Sequence, residues 1–311
     1  GSDFIDVTTA YNRVWIVKDF EPLTGKPIKM MFTNGSQSSA AYLDNDELVF
    51  RYAKFYRLVR HFKPEIKRAL LLGGAGYSYP KDFLKAFPQA NLDVVEIDPR
   101  LTDLAKQHFG LKEDPRLHIY HEDGRIFMNK VSPKYDVYFG DAFNTLYSIP
   151  FHLTSLEAVR AIYRLLDEDG VVLANIISAI EGEKGLFLRA EYHTFRSVFP
   201  QVYVFPVQWP DQGGLVQNII LVALKSSNEP SWVSPSPELN EYLEHLWRSE
   251  IKQDVPLLTD RFSPVEWYTS KMAPPFRTNL HPYWKKVFSK GARRIMGSIW
   301  GKIIERKDEA A

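Results

Sequence analysis

One stretch constrains this chain more than any other: three consecutive leucines lead directly into Gly73, Gly74 and Gly76. A second apolar run contains Glu96, 20 residues after Gly76. This order of strand, glycine turn, helix, strand and acid is typical of a parallel sheet that binds a ribose-bearing cofactor at the carboxyl ends of its strands. The glycines permit close approach of the backbone to a ligand, and the Glu96 carboxylate can accept hydrogen bonds from two ribose hydroxyls.

The glycine turn lacks one feature of the dinucleotide-binding form. That form needs a third glycine in the spacing G-x-G-x-x-G, and Tyr79 stands at that position. A pyrophosphate is therefore a less favoured ligand, and a nucleoside cofactor such as S-adenosylmethionine fits the pattern better.

Alternating strand and helix patterns from about 68 to 225 predict an α/β fold with a Rossmann-like sheet of the class I methyltransferase type. The last two strands are separated only by a turn, so they are expected to be antiparallel. Strands are predicted at 69–73, 92–97, 117–121, 135–140, 170–177, 201–207 and 215–224, and helices at 80–87, 99–109, 155–166 and 186–198. The Asp169-Gly170 pair predicts a turn before the 170–177 strand.

Three parts are predicted along the chain. Residues 1–45 read as a small N-terminal β-domain, with a hairpin turn at Asn34-Gly35 and with Asp44 capping the helix that follows. Residues 46–225 form the nucleoside-cofactor domain. Residues 226–311 form a C-terminal helical extension, with a helix expected at 238–251 and a basic, amphipathic segment at 285–307.

Composition narrows the function classes. Of 311 residues, 45% are hydrophobic and 25% are charged, which is typical of a globular chain, and a net charge of +1 gives no reason to expect nucleic acid binding. The absence of cysteine excludes disulfides, thiolate zinc sites and a cysteine nucleophile. His118 and His121 are an odd number of residues apart on a predicted strand, so they face opposite ways and no metal site is predicted.

Location and partners are predicted less directly. No run of 18 apolar residues exists, and a cytoplasmic protein is expected. Gly1-Ser2 is typical of a cloning remnant, so a membrane segment ahead of it stays an open alternative. For 285–307, docking on its own domain or on a second subunit in a homodimer is preferred over binding an anionic membrane.

Several short motifs, in this order, resemble the spermidine synthase family, the polyamine aminopropyltransferases, and within it the bacterial branch often fused to membrane segments. The resemblance covers about 11 to 265. It implies that Gln37 contacts substrate, that Asp123 and Gly124 meet the adenine, and that Asp141 is the catalytic aspartate. The motifs are Gln37, Asp46-Glu47, the glycine loop at 73–78, Glu96-Ile97-Asp98, Glu122-Asp123-Gly124, Tyr135-Asp136-Val137 with Asp141, the run from Asp141 to Thr154, and Leu258-Thr259-Asp260.

The same resemblance marks positions where the polyamine pocket of the family is replaced. Gly76 stands in place of an acid of the glycine loop, and Asn144 in place of a second acid of the catalytic loop. Phe50-Arg51 stands in place of a Tyr-Gln or Tyr-His pair on the first helix, and Trp209 in place of a late tyrosine. A cation on Arg51 about 4 Å from a diamine costs on the order of 4 kcal/mol at an effective dielectric near 20. Putrescine is therefore a doubtful acceptor, and without the loop acid intact S-adenosylmethionine can also fit.

The predicted function is group transfer from S-adenosylmethionine or its decarboxylated form to a small amine, with Asp141 orienting and deprotonating the acceptor. Asp141 follows a predicted strand, at the edge where ligands bind, although an aspartate there also commonly caps a turn. Two alternatives stay open: methyl transfer from S-adenosylmethionine, and a non-catalytic binding module that keeps the fold.

Overall fold

The computed structural model describes residues 4–142 and 149–272, and they form two β-sheets and the helices around them. The first sheet is an antiparallel meander of β1 (Phe4–Thr8), β2 (Arg13–Phe20), β3 (Pro27–Thr33) and β4 (Ser36–Tyr42). Asn34 and Gly35 join β3 to β4 with φ angles of 50° and 85°. The predicted hairpin turn is confirmed, because a two-residue turn of this type needs positive φ at both positions.

The second sheet has seven strands in the order β7-β6-β5-β8-β9-β11-β10. The first five in this order are parallel, and β11 is antiparallel to both of its neighbours, as predicted. The Rossmann-like α/β class is thus confirmed. The strands are β5 (Arg68–Leu72), β6 (Asn91–Val95), β7 (Leu117–Tyr120), β8 (Tyr135–Gly140), β9 (Leu166–Ser178), β10 (Gln201–Pro206) and β11 (Gln217–Leu224).

Side-chain caps begin four of the helices: Asp98, Asp123, Ser155 and Ser236 each accept a hydrogen bond from a backbone N–H of the first turn. The helices are α1 (Arg51–Phe55), α2 (Val59–Phe62), α3 (Ser78–Ala86), α4 (Pro99–His108), α5 (Gly124–Lys130), α6 (Leu156–Leu165), α7 (Leu186–Arg196), α8 (Pro237–Leu243) and α9 (Val265–Ser270). Short 3₁₀ turns cover Tyr56–Leu58, Phe151–Leu153 and Glu183–Gly185.

The core lies on both faces of the seven-stranded sheet. Leu71 of β5 packs in the cluster beneath α1 to α3 and α8, whereas Leu70 and Leu72 pack in the cluster beneath α5 to α7. Successive side chains of a strand point to opposite faces, so a strand covered on both sides is apolar throughout. This explains the unbroken leucine run that precedes the glycines.

The first sheet packs against α4, the helix that follows β6 of the second sheet. Val14 and Met31 are buried against Leu101 and Leu104. The carboxylate of Asp98 accepts hydrogen bonds from Thr9 Oγ1 at 2.5 Å and from Asn12 Nδ2 at 2.9 Å. The meander is therefore held next to the end of β6.

Three sequence predictions about local structure are wrong. Asp44 caps no helix, because Leu48 is buried and its backbone pairs with Ala41, which keeps this segment extended until α1 begins at Arg51. Asp169-Gly170 is not a turn before a strand but part of β9, where the pairing with β8 becomes irregular.

The third error concerns the helix predicted at 238–251. It ends at Leu243, because the chain then runs beside the outer edge of β10. Nδ1 of His245 lies 2.6 Å from the Pro206 carbonyl oxygen, and the backbone N–H of Trp247 donates to the Val204 carbonyl at 3.0 Å. These contacts provide hydrogen-bond partners for carbonyl groups at the edge of the sheet, and the chain does not continue as a helix.

Two predictions fall where the structure gives no test. The segment 285–307 lies outside the described residues, and the three-part division of the chain stays a prediction. Within the described ranges, no helix combines the length and the apolar character that crossing a bilayer requires.

Candidate active site

The glycine loop, Glu96 and Asp141 lie at the carboxyl edge of the parallel strands, on either side of the point between β5 and β8 where the strand order reverses. The glycine loop follows β5, Glu96 follows β6 and Asp141 follows β8. The Asp141 N–H donates to the Leu72 carbonyl at 3.0 Å, which fixes the end of β8 beside the start of the loop. Crevices at such reversal points are the usual ligand sites of open α/β sheets.

The glycine loop is shaped by the protein around it. Gly73 has a φ of 93°, and a Cβ there would lie 2.4 Å from the carbonyl oxygen of Asp141. Ala75 and Tyr77 also have positive φ values, 43° and 55°, which are unusual for residues other than glycine. A side chain at position 73 would clash with the backbone directly after β8. Gly73 is therefore required whether or not a ligand binds.

Gly76 occupies the position at which the family resemblance implies an acid. A Cβ at Gly76 would lie 2.4 Å from Oγ and 2.7 Å from Cβ of Ser39, a buried residue of β4. The space for a side chain at this position is thus filled by the first sheet. The absence of a loop acid is built into the packing of the two sheets.

Glu96 is buried, with 6% of its surface exposed, and its carboxylate holds the glycine loop. Its Oε2 accepts hydrogen bonds from the N–H groups of Gly74 at 2.9 Å and Ala75 at 3.0 Å, and its Oε1 accepts one from Asp98 at 3.0 Å. Burial raises the pKa of Glu96, and the three backbone donors oppose that rise. Since a carboxylate has about four acceptor positions, about one is left for a ribose hydroxyl.

Asp123 caps α5 and contacts a histidine. Its Oδ1 accepts hydrogen bonds from the N–H groups of Arg125 at 2.8 Å and Ile126 at 3.0 Å, and its Oδ2 lies 2.9 Å from Nε2 of His152. One acceptor position on Oδ2 remains, and 26% of the side chain is exposed. A Cβ at Gly124 would lie 2.9 Å from Cδ1 of Leu72, so the glycine lets α5 approach β5 closely.

Asp141 is held by side chains. Tyr52 on α1 donates its hydroxyl to Oδ2 at 3.1 Å, and Asn175 on β9 donates Nδ2 to Oδ1 at 3.1 Å. Burial raises the pKa of Asp141 to about 6, and the hydrogen bonds from Asn175 and Tyr52 limit the rise. Burial also raises the pKa of Tyr52 well above its usual value, so its hydroxyl stays a donor.

A row of amide side chains continues from Asp141 along the sheet edge. Asn218 on β11 donates Nδ2 to Oδ1 of Asn175 at 3.0 Å, and Gln208 donates Nε2 to Oδ1 of Asn218 at 3.4 Å. The next residue, Trp209, is held through its backbone N–H by Oε1 of Gln217 at 2.9 Å. Trp209 has 46% of its surface exposed. Polar, neutral groups thus extend from the carboxylate toward an exposed aromatic ring.

The other predicted substrate residues lie at different distances from this network. Gln37 is exposed on β4, opposite Phe32. Arg51 is exposed at the start of α1, next to Tyr52, and its guanidinium lies 3.6 Å from the carboxylate of Glu241. Asn144 lies outside the described residues.

Sequence reasoning missed three residues that touch the predicted acids. Tyr52 lies in an apolar stripe of the first helical segment, Asn175 lies in the continuous apolar run of β9, and His152 follows a proline in a loop. The available signals were the hydroxyl of Tyr52 in an apolar stripe and a lone amide in a strand covered on both faces.

The two histidines set aside as metal ligands contact different partners: His118 bonds to Asp93 at 2.9 Å and His121 to Thr102 at 3.0 Å. Within residues 4–142 and 149–272, no group of three or more potential metal-binding side chains occurs. A cavity of about 720 Å³ lies between α7 and β10, and its lining includes no predicted site residue.

Comparison with known proteins identifies the family of this chain. Residues 54–230, more than half of the chain, match the model of the spermine/spermidine synthase domain. A polyamine aminopropyltransferase of Vibrio vulnificus (strain CMCP6) is 29% identical over 240 residues, which cover 70% of this chain and 75% of that protein.

Two solved structures show the same fold. A probable spermidine synthase from Corynebacterium glutamicum ATCC 13032 aligns with a TM-score of 0.64 and 22% identity, over 89% of this chain and 99% of that one. A spermidine synthase in complex with the transition state analogue AdoDATO aligns with a TM-score of 0.58 and 18% identity, over 87% of this chain and 85% of that one.

Proposed function

The chain belongs to the spermine/spermidine synthase family and is a transferase, and we propose that it moves an aminopropyl or related group from decarboxylated S-adenosylmethionine to an amine acceptor. The observation that carries this proposal is Asp141, a carboxylate held by Tyr52 and Asn175 at the point where the strand order reverses. The name of the Vibrio vulnificus relative supports the aminopropyl reaction.

The donor is proposed to lie over the glycine loop from Gly73 to Gly76. The remaining acceptor position of Glu96 takes a ribose hydroxyl, and the remaining position of Asp123 takes the adenine amino group. The free acceptor positions and the positive φ values of the loop support this placement. A sulfonium donor supplies an alkyl carbon next to a good leaving group, so the protein has chiefly to align the acceptor and remove its proton.

Asp141 is proposed as the group that removes this proton. An amine in water is mostly protonated at neutral pH, since its pKa is near 10.4. An acceptor ammonium beside the carboxylate first passes one proton to Asp141, which frees the lone pair of its nitrogen. The nitrogen–carbon bond then forms as the carbon–sulfur bond breaks, and methylthioadenosine leaves as the neutral thioether. A pKa of about 6 leaves Asp141 mostly ionised at pH 7, yet basic enough to accept a proton.

Methyl transfer from intact S-adenosylmethionine is the second candidate. The observation that favours it is the contact between Gly76 and Ser39, which leaves no room for an acid that would repel the carboxylate of the intact donor. Both candidates use the same nucleoside pocket, and they differ in the donor accepted.

Putrescine is proposed to be a poor acceptor. The side chains that contact Asp141 are a tyrosine and an asparagine, and the network continues in neutral amides. The cation of Arg51 next to Tyr52 disfavours a second ammonium group, although Glu241 reduces its effect. An acceptor with one reacting amine and a neutral remainder suits this arrangement better.

The test is calorimetric titration with decarboxylated S-adenosylmethionine, intact S-adenosylmethionine and methylthioadenosine, followed by assays of amine acceptors that include putrescine. Tighter binding of the decarboxylated donor, with transfer to an amine, supports the first candidate. Preference for the intact donor supports methyl transfer. Binding of none of the three contradicts both, and putrescine turnover of ~1–10³ per second contradicts the acceptor proposal.

A further inference from the structure

A chain of hydrogen bonds connects Asp260, near the end of the described residues, to the predicted adenine contact Asp123. The middle of this chain is Arg125 on α5, whose side chain is 16% exposed. Its NH2 donates to Oδ2 of Asp260 at 2.9 Å, and its NH1 donates to the His152 carbonyl at 2.9 Å. The ring of His152 then lies 2.9 Å from Oδ2 of Asp123.

A second contact fixes Asp260 itself. Ser155, the cap of α6, donates its hydroxyl to Oδ1 of Asp260 at 2.5 Å, and NH1 of Arg125 donates to the same hydroxyl at 3.2 Å. The N–H of Asp260 donates to Oε2 of Glu157 at 2.9 Å. Asp260 is thus anchored to the start of α6 before it reaches Arg125.

Both oxygens of Asp123 depend on Arg125. The backbone N–H of Arg125 holds Oδ1, and the guanidinium holds the carbonyl of His152, whose ring holds Oδ2. The Arg125 Nε is buried without an acceptor among the described residues. The guanidinium is therefore held in an orientation in which NH1 and NH2 are hydrogen-bonded and the buried Nε–H is not.

We propose that Asp260 is a positioning residue for the nucleoside pocket. Through Arg125 it fixes the turn that carries His152, and this turn sets the rotation of the Asp123 carboxylate toward the adenine amino group. The inference rests on the proposed function, because it assumes an adenine at Asp123. It assigns a role in base recognition to a residue 137 positions away along the chain.

The experiment compares methylthioadenosine with methylthioinosine, which carries a carbonyl where adenine has its amino group. Affinities are measured by calorimetry for the natural chain, Asp260→Asn and Arg125→Lys, with the melting temperature of each. Asp254→Asn is the matched control, because Asp254 also holds the guanidinium of a largely buried arginine, Arg189 on α7, with hydrogen bonds of 2.6 and 3.0 Å.

The natural chain is expected to prefer methylthioadenosine by about tenfold, and Asp260→Asn and Arg125→Lys to reduce this preference by about threefold or more, the size of one net hydrogen bond. Asp254→Asn should lower the melting temperature and leave the preference unchanged. A merely structural role of Asp260 would lower the melting temperature in the same way without altering the ratio.

Each other result is decisive. An unchanged ratio in Arg125→Lys and Asp260→Asn overturns the inference while methylthioadenosine binding still supports the proposed function. Binding without preference in the natural chain overturns the inference and the placement of the adenine amino group at Asp123, while the proposed transfer reaction stands. No binding of methylthioadenosine at all overturns the proposed function and the inference together. If Asp260→Asn does not fold, the ratio in Arg125→Lys decides.

Discussion

Glu96 and Asp141 follow the two strands on either side of β5, yet the protein holds them in different ways. Glu96 accepts three hydrogen bonds, all from backbone N–H groups: two from the glycine loop and one from Asp98, at the start of α4. Asp141 accepts its hydrogen bonds from the side chains of Tyr52 and Asn175, which belong to α1 and β9. Both carboxyl groups have pKa values raised by burial.

The two kinds of donor differ in origin: backbone donors are supplied by the fold, and side-chain donors by the residues of this particular chain. The glycine loop and Glu96 form the proposed cofactor half of the site. Because the donors to Glu96 are backbone N–H groups, this half depends on the glycine positions and on one acid. Asp141, Tyr52 and Asn175 form the proposed acceptor half. Because the donors to Asp141 are side chains, this half can change between relatives without a change of fold. Phe50-Arg51 and Trp209, where this chain departs from the family pattern, are proposed to belong to the acceptor half, whereas the departure at Gly76 lies in the glycine loop.

The sharpest test of the acceptor half is Asp141→Asn, which keeps the size of the side chain and removes the base. Turnover should fall by about 10²–10⁴, whereas affinity for methylthioadenosine should stay nearly unchanged, because the nucleoside is held by the other half. Initial rates with an identified acceptor, together with calorimetry, measure both quantities. Glu191→Gln is the control, since Glu191 is a buried carboxyl group on α7 outside this network. Full activity of Asp141→Asn places the base elsewhere.

Glu96→Ala tests the cofactor half. Affinity for methylthioadenosine should fall by at least ~2 kcal/mol, and the free energy of unfolding should fall as well, because the N–H groups of Gly74 and Ala75 lose a buried acceptor. Calorimetry and urea unfolding give the two values. Glu113→Ala, which removes a side chain 95% exposed, serves as the control and should change neither. Unchanged affinity in Glu96→Ala would remove Glu96 from the nucleoside site.

Gly76→Ala tests whether packing, rather than a ligand, determines the shape of the loop. The new Cβ meets Ser39, so the free energy of unfolding should decrease by ~1–3 kcal/mol. Adding Ser39→Gly should recover part of this loss, because it removes both atoms of the clash. Gly214→Ala is the matched control, since a Cβ there has no neighbour within 4 Å. Equal stability of Gly76→Ala and Gly214→Ala would contradict the packing argument.

The pKa of Asp141 predicts a pH dependence for the acceptor half. With a pKa of about 6, the carboxylate is about one-tenth ionised at pH 5, so kcat/KM should fall about tenfold between pH 7 and pH 5. The folded-state pKa exceeds the ordinary value of 3.8, so the folded state binds the extra proton. The contribution of Asp141 to stability is therefore present at low pH and decreases as the pH rises from about 4 to about 6.

Unfolding free energies of the natural chain and Asp141→Asn over this pH range check the sign. The difference between them should narrow or reverse as the pH rises, since the variant carries no ionisable group at this position. A difference that is constant from pH 4 to pH 7 would show that Asp141 titrates near its ordinary value in the folded protein.

Local sequence patterns predict the seven-stranded sheet and the edge at which the candidate site lies. The leucine run, the glycines and Glu96 are close together along the chain, and the periods of strand and helix follow from local geometry. Asp141 was also predicted, because a polar residue directly after an apolar strand lies at the carboxyl edge. Local signals were wrong where distant contacts prevailed, as at Asp44, where the pairing of Leu48 with Ala41 replaced a helix start.

The side chains that surround the two acids are known only from how distant segments pack. Tyr52 and Asn175 reach Asp141 from positions 89 and 34 residues away, and Asp260 reaches Arg125 across 135 residues. Ser39, which closes the space at Gly76, comes from the other sheet. No periodicity or spacing encodes such contacts, because they depend on how separate elements pack, and packing is fixed by the whole core rather than by any one segment.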